Sequence, residues 1–126
     1  MKSGDVLPAQ EVEVTRTLIV AGALASRDFA GVHHDVELAR EQGAQDIFMN
    51  ILTTNGLVVR FVTDWAGRGV VLRAINLKLG VPNFPGDTMH LSGTVTKVNG
   101  KDAEIEVRGA NSMGDHVVAT VEVTTP

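Results

Sequence analysis

The sequence predicts an α+β fold in which an antiparallel sheet packs around one long, buried helix. Residues 50–66 place apolar side chains on most sides of a helix, a pattern typical of a helix that other elements cover. Most of the chain after residue 70 alternates polar and apolar residues with the period of β-strands, and Asn99-Gly100 is a strong hairpin signal. A sheet with one apolar face and such a helix bury each other's surfaces.

Four segments of the second half are predicted strands, because they alternate in this way or are apolar and bounded by turn residues. They are Val71–Leu79, Asp87–Val98, Lys101–Ala110 and His116–Thr124. Ser112–Asp115, with its glycine, is the turn before the last strand. One such sheet leaves helix surface and a sheet edge uncovered, so we expect a dimer on packing grounds.

The segments before the long helix carry weaker signals. They predict, in order, a disordered lead-in over residues 1–9, a strand within Glu11–Leu18, a short helix over Ile19–Ser26, a polar loop over Arg27–Asp35 and a short helix over Val36–Gln42 that Gly43 ends.

The long helix is predicted over Asn50–Ala66. Asn50 can cap it, because its side chain can accept one of the first free N–H groups. Gly56 in mid-helix costs about 1 kcal/mol relative to alanine, which indicates close packing against the backbone there. Gly67 and Gly69 end the helix.

Length and composition limit the classes of function. The 126 residues fit one domain, 1–126, and the net charge of −4 argues against nucleic-acid and anionic-membrane surfaces. The chain has no cysteine, which excludes disulfides, thiolate nucleophiles and Cys-ligated zinc. The N-terminus has no apolar core of signal length, and charged residues or glycines interrupt every apolar stretch. We therefore expect a cytoplasmic protein.

The segment 26–35 is the one dense cluster of catalytic residue types. Asp28 and His33 lie five positions apart with Gly31 between them, where a bend can turn both side chains toward one water molecule. A carboxylate and an imidazole together can accept one proton from water and deliver another. The alternative is a solvated polar loop in which Asp35 caps the next helix.

The remaining histidines receive simpler interpretations. His33, His34 and Asp35 are adjacent and point in divergent directions, and no fourth ligand is evident, so no metal site is predicted. His90 on the polar face of a strand and His116 at a strand start are expected to lie on the surface.

The segment resembles the hydratase motif of the MaoC-like (R)-specific enoyl-CoA hydratases. That motif reads small residue, Gly-Asp, any residue, Asn-Pro, aliphatic, His, five residues, then Ala or Ser. The matching positions are Ser26, Asp28, Val32, His33 and Ala39. The sequence departs from it in Arg27, which stands for Gly, and in Ala30-Gly31, which stand for Asn-Pro; these departures put the rigidity of the loop in doubt.

The resemblance extends along the chain. Asn50 lies in Met49–Leu52, where the family has His-Gly-Met-Leu at the start of its central helix. The resemblance is closer still to the small MaoC-like subunit of steroid side-chain hydratases of cholesterol-degrading actinobacteria. The stretches that carry this similarity are Arg27–Phe29, Val32–Asp35, Asp46–Phe48, Asn50–Leu52, Arg60–Gly67 and Leu79–Pro82.

The resemblance implies a hot-dog fold and a specific site. In such enzymes the acyl thioester lies between subunits beside the central helix. Asp28 and His33 would hold the water that adds at C3 of a 2-enoyl-CoA while C2 receives a proton, and His34 would have a supporting role. The backbone N–H of Asn50 would polarise the thioester carbonyl, in agreement with the positive end of a helix dipole.

The resemblance also implies an acyl-CoA substrate, no cofactor, and a partner. The partner is a second copy or a different MaoC-like chain, and the sequence leaves both open. Thioester hydrolysis is a second enzymatic possibility, but the acid of the long helix, Asp64, lies near its far end. The third possibility is a non-catalytic acyl-CoA-binding subunit, which the departures at Arg27 and Ala30-Gly31 favour.

Overall fold

One sheet of five antiparallel strands and one long helix form the core of the structure, a computed structural model that describes all 126 residues. The elements are β1 (Val6–Glu13), α1 (Arg16–Ala25), a 3-10 turn (Gly31–His33), α2 (Val36–Glu41), α3 (Ile51–Ala66), β2 (Val71–Leu79), β3 (Thr88–Asn99), β4 (Asp102–Asn111) and β5 (Gly114–Thr124). The strand order is β1-β3-β4-β5-β2, and α3 contacts β1, β2, β3 and β5. The predicted α+β class is confirmed.

The alternating residues of the strands face α3, as predicted. Met89, Leu91 and Val95 of β3 are buried, and their neighbours on the opposite face are exposed. The hairpin signal is also confirmed: Asn99 of β3 pairs with Asp102 of β4, and Gly100 between them has a φ of 61°.

Helix α3 begins and ends where the sequence predicts. The Asn50 side chain accepts a hydrogen bond from the Thr53 N–H, and Gly67 ends the helix with a φ of 88°. The prediction that α3 is buried on most sides is wrong for the chain alone, because Ile51 and Leu52 are each 50% exposed on the face that the sheet does not cover. The prediction of close packing at Gly56 is also wrong for the chain alone, because a Cβ at this position would have no atom within 4 Å.

The N-terminal strand lies earlier than predicted. Residues 1–9 are not a disordered lead-in, and only residues 11–13 of the predicted strand Glu11–Leu18 are in a strand: β1 spans Val6–Glu13 at the edge of the sheet, and α1 follows from Arg16. Pro8 is not typical of a strand, so the sequence did not indicate one here. The register of β1 shifts between Leu7 and Gln10, and an edge strand tolerates proline at such an irregularity. The helix starts early because Thr15 caps it by accepting the Leu18 N–H at 3.0 Å.

Helices α1 and α2 place the polar loop beside the start of α3. A Cβ built on Gly22 of α1 would lie 2.2 Å from Thr53 Oγ1, so the two helices approach closely there. Asp35 caps α2, as predicted, by accepting from the N–H groups of residues 37 and 38. None of the helices combines the length and the apolar character needed to cross a bilayer.

Replacing Gly56 with alanine is expected to stabilise the isolated chain by about 0.5–1 kcal/mol, because the added methyl meets no atom and the unfolded chain loses freedom. Denaturant unfolding of the purified chain measures this change. In the matched variant Gly80→Ala, the new Cβ would lie 2.2 Å from the Asp115 carbonyl oxygen, so a loss of about 1–3 kcal/mol is expected. A destabilised Gly56→Ala chain would contradict the open surface at this residue.

Candidate active site

The structure brings Asp28 and His33 together at the loop between α1 and α2. Asp28 Oδ2 lies 3.3 Å from His33 Nε2. The His33 side chain is 9% exposed and that of Asp28 28% exposed, so the carboxylate lies on the solvent side of the imidazole. A small molecule can therefore reach the pair, while the ring itself is held by the protein.

The orientation of the His33 ring follows from its other nitrogen. Nδ1 lies 2.7 Å from the carbonyl oxygen of Phe48, and a carbonyl can only accept, so Nδ1 carries the hydrogen. In the neutral ring Nε2 then has a free lone pair directed toward Asp28. The Phe48 ring packs against the imidazole in a T-shaped arrangement with centroids 5.1 Å apart, which further limits rotation of the ring.

The Asp28 carboxylate is held by two N–H donors. The Asn50 side-chain amide donates to Oδ2 at 3.1 Å, and the Ala30 backbone N–H donates to Oδ1 at 3.2 Å. These bonds, the Asn50 bond foremost, lower the pKa of Asp28 and keep the group ionised near neutral pH. An anionic oxygen and a nitrogen lone pair thus face each other, an arrangement that is satisfied by a shared proton or by a donor such as water.

His34 holds the backbone of the loop. Its Nε2 lies 2.9 Å from the carbonyl oxygen of Asp28 and therefore donates to it. The bond restrains the residue that carries the carboxylate. The supporting role expected of His34 fits this contact and stays a prediction.

The two departures from the motif have local structural explanations. Arg27 has a φ of 55° and is the one non-glycine residue with positive φ. Glycine, the residue of the motif, adopts this left-handed conformation without strain, whereas it costs Arg27 about 1–2 kcal/mol. Gly31 begins the 3-10 turn without a left-handed φ. A Cβ there would lie 1.9 Å from Leu38 Cδ2, so a larger residue requires the Leu38 side chain to move.

The N-terminus of α3 presents free backbone donors beside this loop. Asn50 is 2% exposed and precedes the first helical residue. The backbone N–H groups of Asn50, Ile51 and Leu52 have no acceptor in the protein, whereas that of Thr53 donates to Asn50 Oδ1. Such donors, at the positive end of the helix dipole, can bind an oxygen that carries negative charge.

A buried histidine that the sequence did not reveal fixes the other side of this helix end. The surface location predicted for His116 is wrong, since the residue is 2% exposed. Its Nδ1 donates to the Val81 carbonyl oxygen at 2.7 Å, and its Nε2 accepts from the Thr54 hydroxyl at 2.8 Å. Burial lowers its pKa, so the ring is neutral.

The strand pattern misplaced His116 because β5 is irregular at that residue. Val117 pairs with Gly109 and Asp115 with Ala110, which leaves His116 as an extra residue in the strand. The bulge turns the side chain inward, against the alternation of β5. His90, by contrast, is exposed as predicted, with Nδ1 3.4 Å from a Glu11 carboxylate oxygen.

A five-stranded antiparallel sheet packed on one long helix is the architecture of a hot-dog domain, and this one has an Asp–His pair at the start of the helix. The chain belongs to the MaoC-like domain family, whose sequence profile matches residues 3–117. The family predicted from the motif is thereby confirmed.

Individual relatives are similar over nearly the whole chain. The Mycobacterium tuberculosis protein named 3-oxo-4,17-pregnadiene-20-carboxyl-CoA hydratase beta subunit is 51% identical over 121 residues, which cover 96% of this chain and 94% of that one. A chain in the crystal structure of the ChsH1-ChsH2 complex from the same organism is 49% identical, with a TM-score of 0.98 over 100% of this chain and 99% of that one. The (R)-hydratase from A. caviae shares the fold, with a TM-score of 0.87 at 19% identity over 100% and 98% of the two chains.

The burial of His116 predicts a loss of stability at acid pH. The folded-state pKa lies below the ordinary value of 6.5, so the unfolded chain takes up the proton more readily and the penalty grows as pH falls below that value. In His116→Gln, which does not titrate and can still accept from Thr54, this part of the pH dependence is expected to disappear. Unfolding free energies at about pH 7.5 and about pH 5.5 measure it.

The control for this experiment is His90→Gln, which removes an exposed histidine. It is expected to retain the pH dependence of the wild type. Equal losses of stability between the two pH values in His116→Gln and in the wild type would contradict the assignment.

Proposed function

We propose that this chain is the catalytic subunit of an enoyl-CoA hydratase, which adds water across the 2,3 double bond of a 2-enoyl-CoA. The observation that carries the proposal is the placement of an ionised carboxylate and an imidazole lone pair 3.3 Å apart, in a loop beside the free N–H groups of a helix. Hydration needs both a group that activates water and donors that stabilise the enolate.

The water is held by Asp28 and His33, each of which accepts one of its hydrogens. Its oxygen lone pair then attacks C3, and a C3–O bond forms as one O–H bond breaks. The low pKa of Asp28 makes its carboxylate a weak base, so the imidazole, suited to proton transfer near neutral pH, takes the proton at Nε2. The same proton, or one exchanged between Asp28 and His33, is delivered to C2. The net reaction is the addition of one water molecule across the double bond.

The electron pair of the double bond moves through C2 to the thioester oxygen during the attack. The enolate oxygen accepts a hydrogen bond from the Asn50 backbone N–H, at the positive end of α3. One preorganised donor of this kind typically contributes about 2.7–4 kcal/mol to transition-state stabilisation.

Hydration is favoured over thioester hydrolysis by the position of the helix acid. Asp64 lies in the last turn of α3, is 57% exposed and pairs with Arg60 at 3.5 Å. It is remote in sequence from the helix start at which Asp28 and His33 meet, so no helix carboxylate accompanies the pair.

The relatives suggest the substrate and the partner. The similar Mycobacterium tuberculosis protein is named for a pregnadiene-carboxyl-CoA thioester and as a beta subunit, and the similar crystal structure is that of a two-protein complex. We therefore extend the proposal to a steroid side-chain enoyl-CoA and to a second, different MaoC-like chain. Exposed apolar residues on α1, the loop and α3 fit a partner that completes the acyl pocket: Leu24, Phe29, Ile51 and Leu52. A cytoplasmic location stays a prediction.

Asp28→Asn and His33→Ala are each expected to lower kcat by roughly 10²- to 10⁴-fold, because each removes one of the two groups that hold and deprotonate water. Loss of the conjugated enoyl absorbance, with chromatography of the 3-hydroxyacyl-CoA product, measures the rate. His90→Ala, an exposed histidine on β3, is the control and should keep wild-type turnover. Near-normal turnover in either site variant would refute the assignment, and release of free CoA without the 3-hydroxyacyl-CoA would indicate hydrolysis.

The heteromer is tested by co-purification from the native source and by assays with short, long and steroidal 2-enoyl-CoAs. We expect a second MaoC-like chain to co-purify, and hydration of the steroidal substrate to require it. A homodimer that hydrates all three substrates without a second protein would contradict this part of the proposal.

A further inference from the structure

Asn50 is a buried residue whose side chain makes hydrogen bonds in two directions. Its Oδ1 accepts from the backbone N–H of Thr53 at 3.0 Å and also from the Thr53 hydroxyl. Its Nδ2 donates to Ser26 Oγ at 2.9 Å and to Asp28 Oδ2 at 3.1 Å. Both hydrogens of the amide nitrogen and the amide oxygen are therefore used within the protein.

This network allows one orientation of the amide. The Thr53 N–H can only donate, so it requires the oxygen of Asn50 and leaves the nitrogen directed at Asp28. Ser26 strengthens the choice, because its hydroxyl donates to the Gly22 carbonyl at 2.8 Å and therefore accepts from Asn50. A flipped amide would lose the helix cap and place its oxygen against an anionic carboxylate.

Asp28 depends on this amide for its position. The neighbouring Ala30 supplies only a backbone N–H, and that bond goes to the other oxygen, Oδ1. Without the amide, Oδ2 would have no protein donor and the partly exposed carboxylate could rotate away from His33. The Asn50 bond is also the largest cause of the lowered pKa of Asp28.

We propose that Asn50 is a positioning residue of the hydration reaction, whose side-chain amide fixes Asp28 Oδ2 beside His33 Nε2 while its backbone N–H faces the thioester carbonyl. The inference rests on the proposed hydratase function and goes beyond it. One residue thereby sets the distance between the group that holds water and the donor that receives the enolate charge. A substitution of Asn50 therefore changes the position of the Asp28 carboxylate and leaves the backbone N–H donor in place.

The test uses two substitutions that both preserve the helix cap, because serine and aspartate are as effective at that position as asparagine. Asn50→Ser removes the donor to Asp28. Asn50→Asp replaces that donor with a second carboxylate, which raises the pKa of Asp28 further by like-charge repulsion. The measurements, made on the complex with its natural partner, are kcat, KM and the carboxyl ¹³C NMR titration of Asp28.

We expect kcat to fall roughly 10²-fold in both variants, as for a misplacement of about 1 Å, with KM close to that of the wild type. The Asp28 titration is expected to move to higher pH, more in Asn50→Asp than in Asn50→Ser. Asp35→Asn is the control, since it exchanges an acid and an amide at the cap of α2 without contact to Asp28. It should retain wild-type kcat and the wild-type Asp28 titration.

The outcomes separate the inference from the function on which it rests. A wild-type complex that hydrates no enoyl-CoA overturns the proposed function. An active wild type together with wild-type kcat and an unshifted Asp28 titration in either folded variant overturns the inference alone. A fall in kcat with no shift of the titration also overturns it, because that result indicates damage to the helix end and not loss of the contact with Asp28.

Discussion

The junction between the first turn of α3 and the loop after α1 depends on one buried amide. Asn50 satisfies a backbone N–H of the helix with its oxygen and the Asp28 carboxylate with its nitrogen. A buried polar group left without a partner costs about 1–3 kcal/mol, so both bonds must form together when the helix packs. The glycine at position 22 allows the necessary approach, because a side chain there would overlap Thr53. The position of the candidate site is thus a consequence of how α1 and α3 pack.

The opposite side of the helix end is fixed by a neutral histidine. His116 bonds to Val81 in the loop after β2 and to Thr54 in the first turn of α3. The side chains of Asn50, Thr53 and Thr54 find partners within the protein, whereas the backbone N–H groups of Asn50 and of the next two residues have no acceptor. These three N–H groups are therefore free to bind an oxygen of a ligand.

The parts of the structure that the sequence predicts are those with local causes. The limits of α3, the hairpin at Asn99-Gly100 and the cap at Asp35 follow from residues a few positions apart, and the structure has all three. The limits of the edge strand β1 and the burial of His116 were not predicted. Both β1 and the pairing of β4 with β5 contain a register shift, which the alternation of polar and apolar residues cannot reveal. The bond between Asn50 and Asp28 joins residues 22 positions apart, so no local pattern contains it. The pairing of Asp28 with His33 could be predicted because the two residues lie only five positions apart and belong to one motif.

The contacts that prepare the Asp28–His33 pair all lie within this chain, whereas the surface around the pair is incomplete. Donors from Asn50 and Ala30 hold the carboxylate, and the Phe48 carbonyl holds the imidazole. The apolar residues beside them are exposed, and so are several along the edge strand β2. In the proposed hydratase, activation of water is therefore a property of this subunit, and selection of the acyl group depends on the surface that covers it. A different covering chain would change which thioester is accepted without altering the distance between Oδ2 and Nε2.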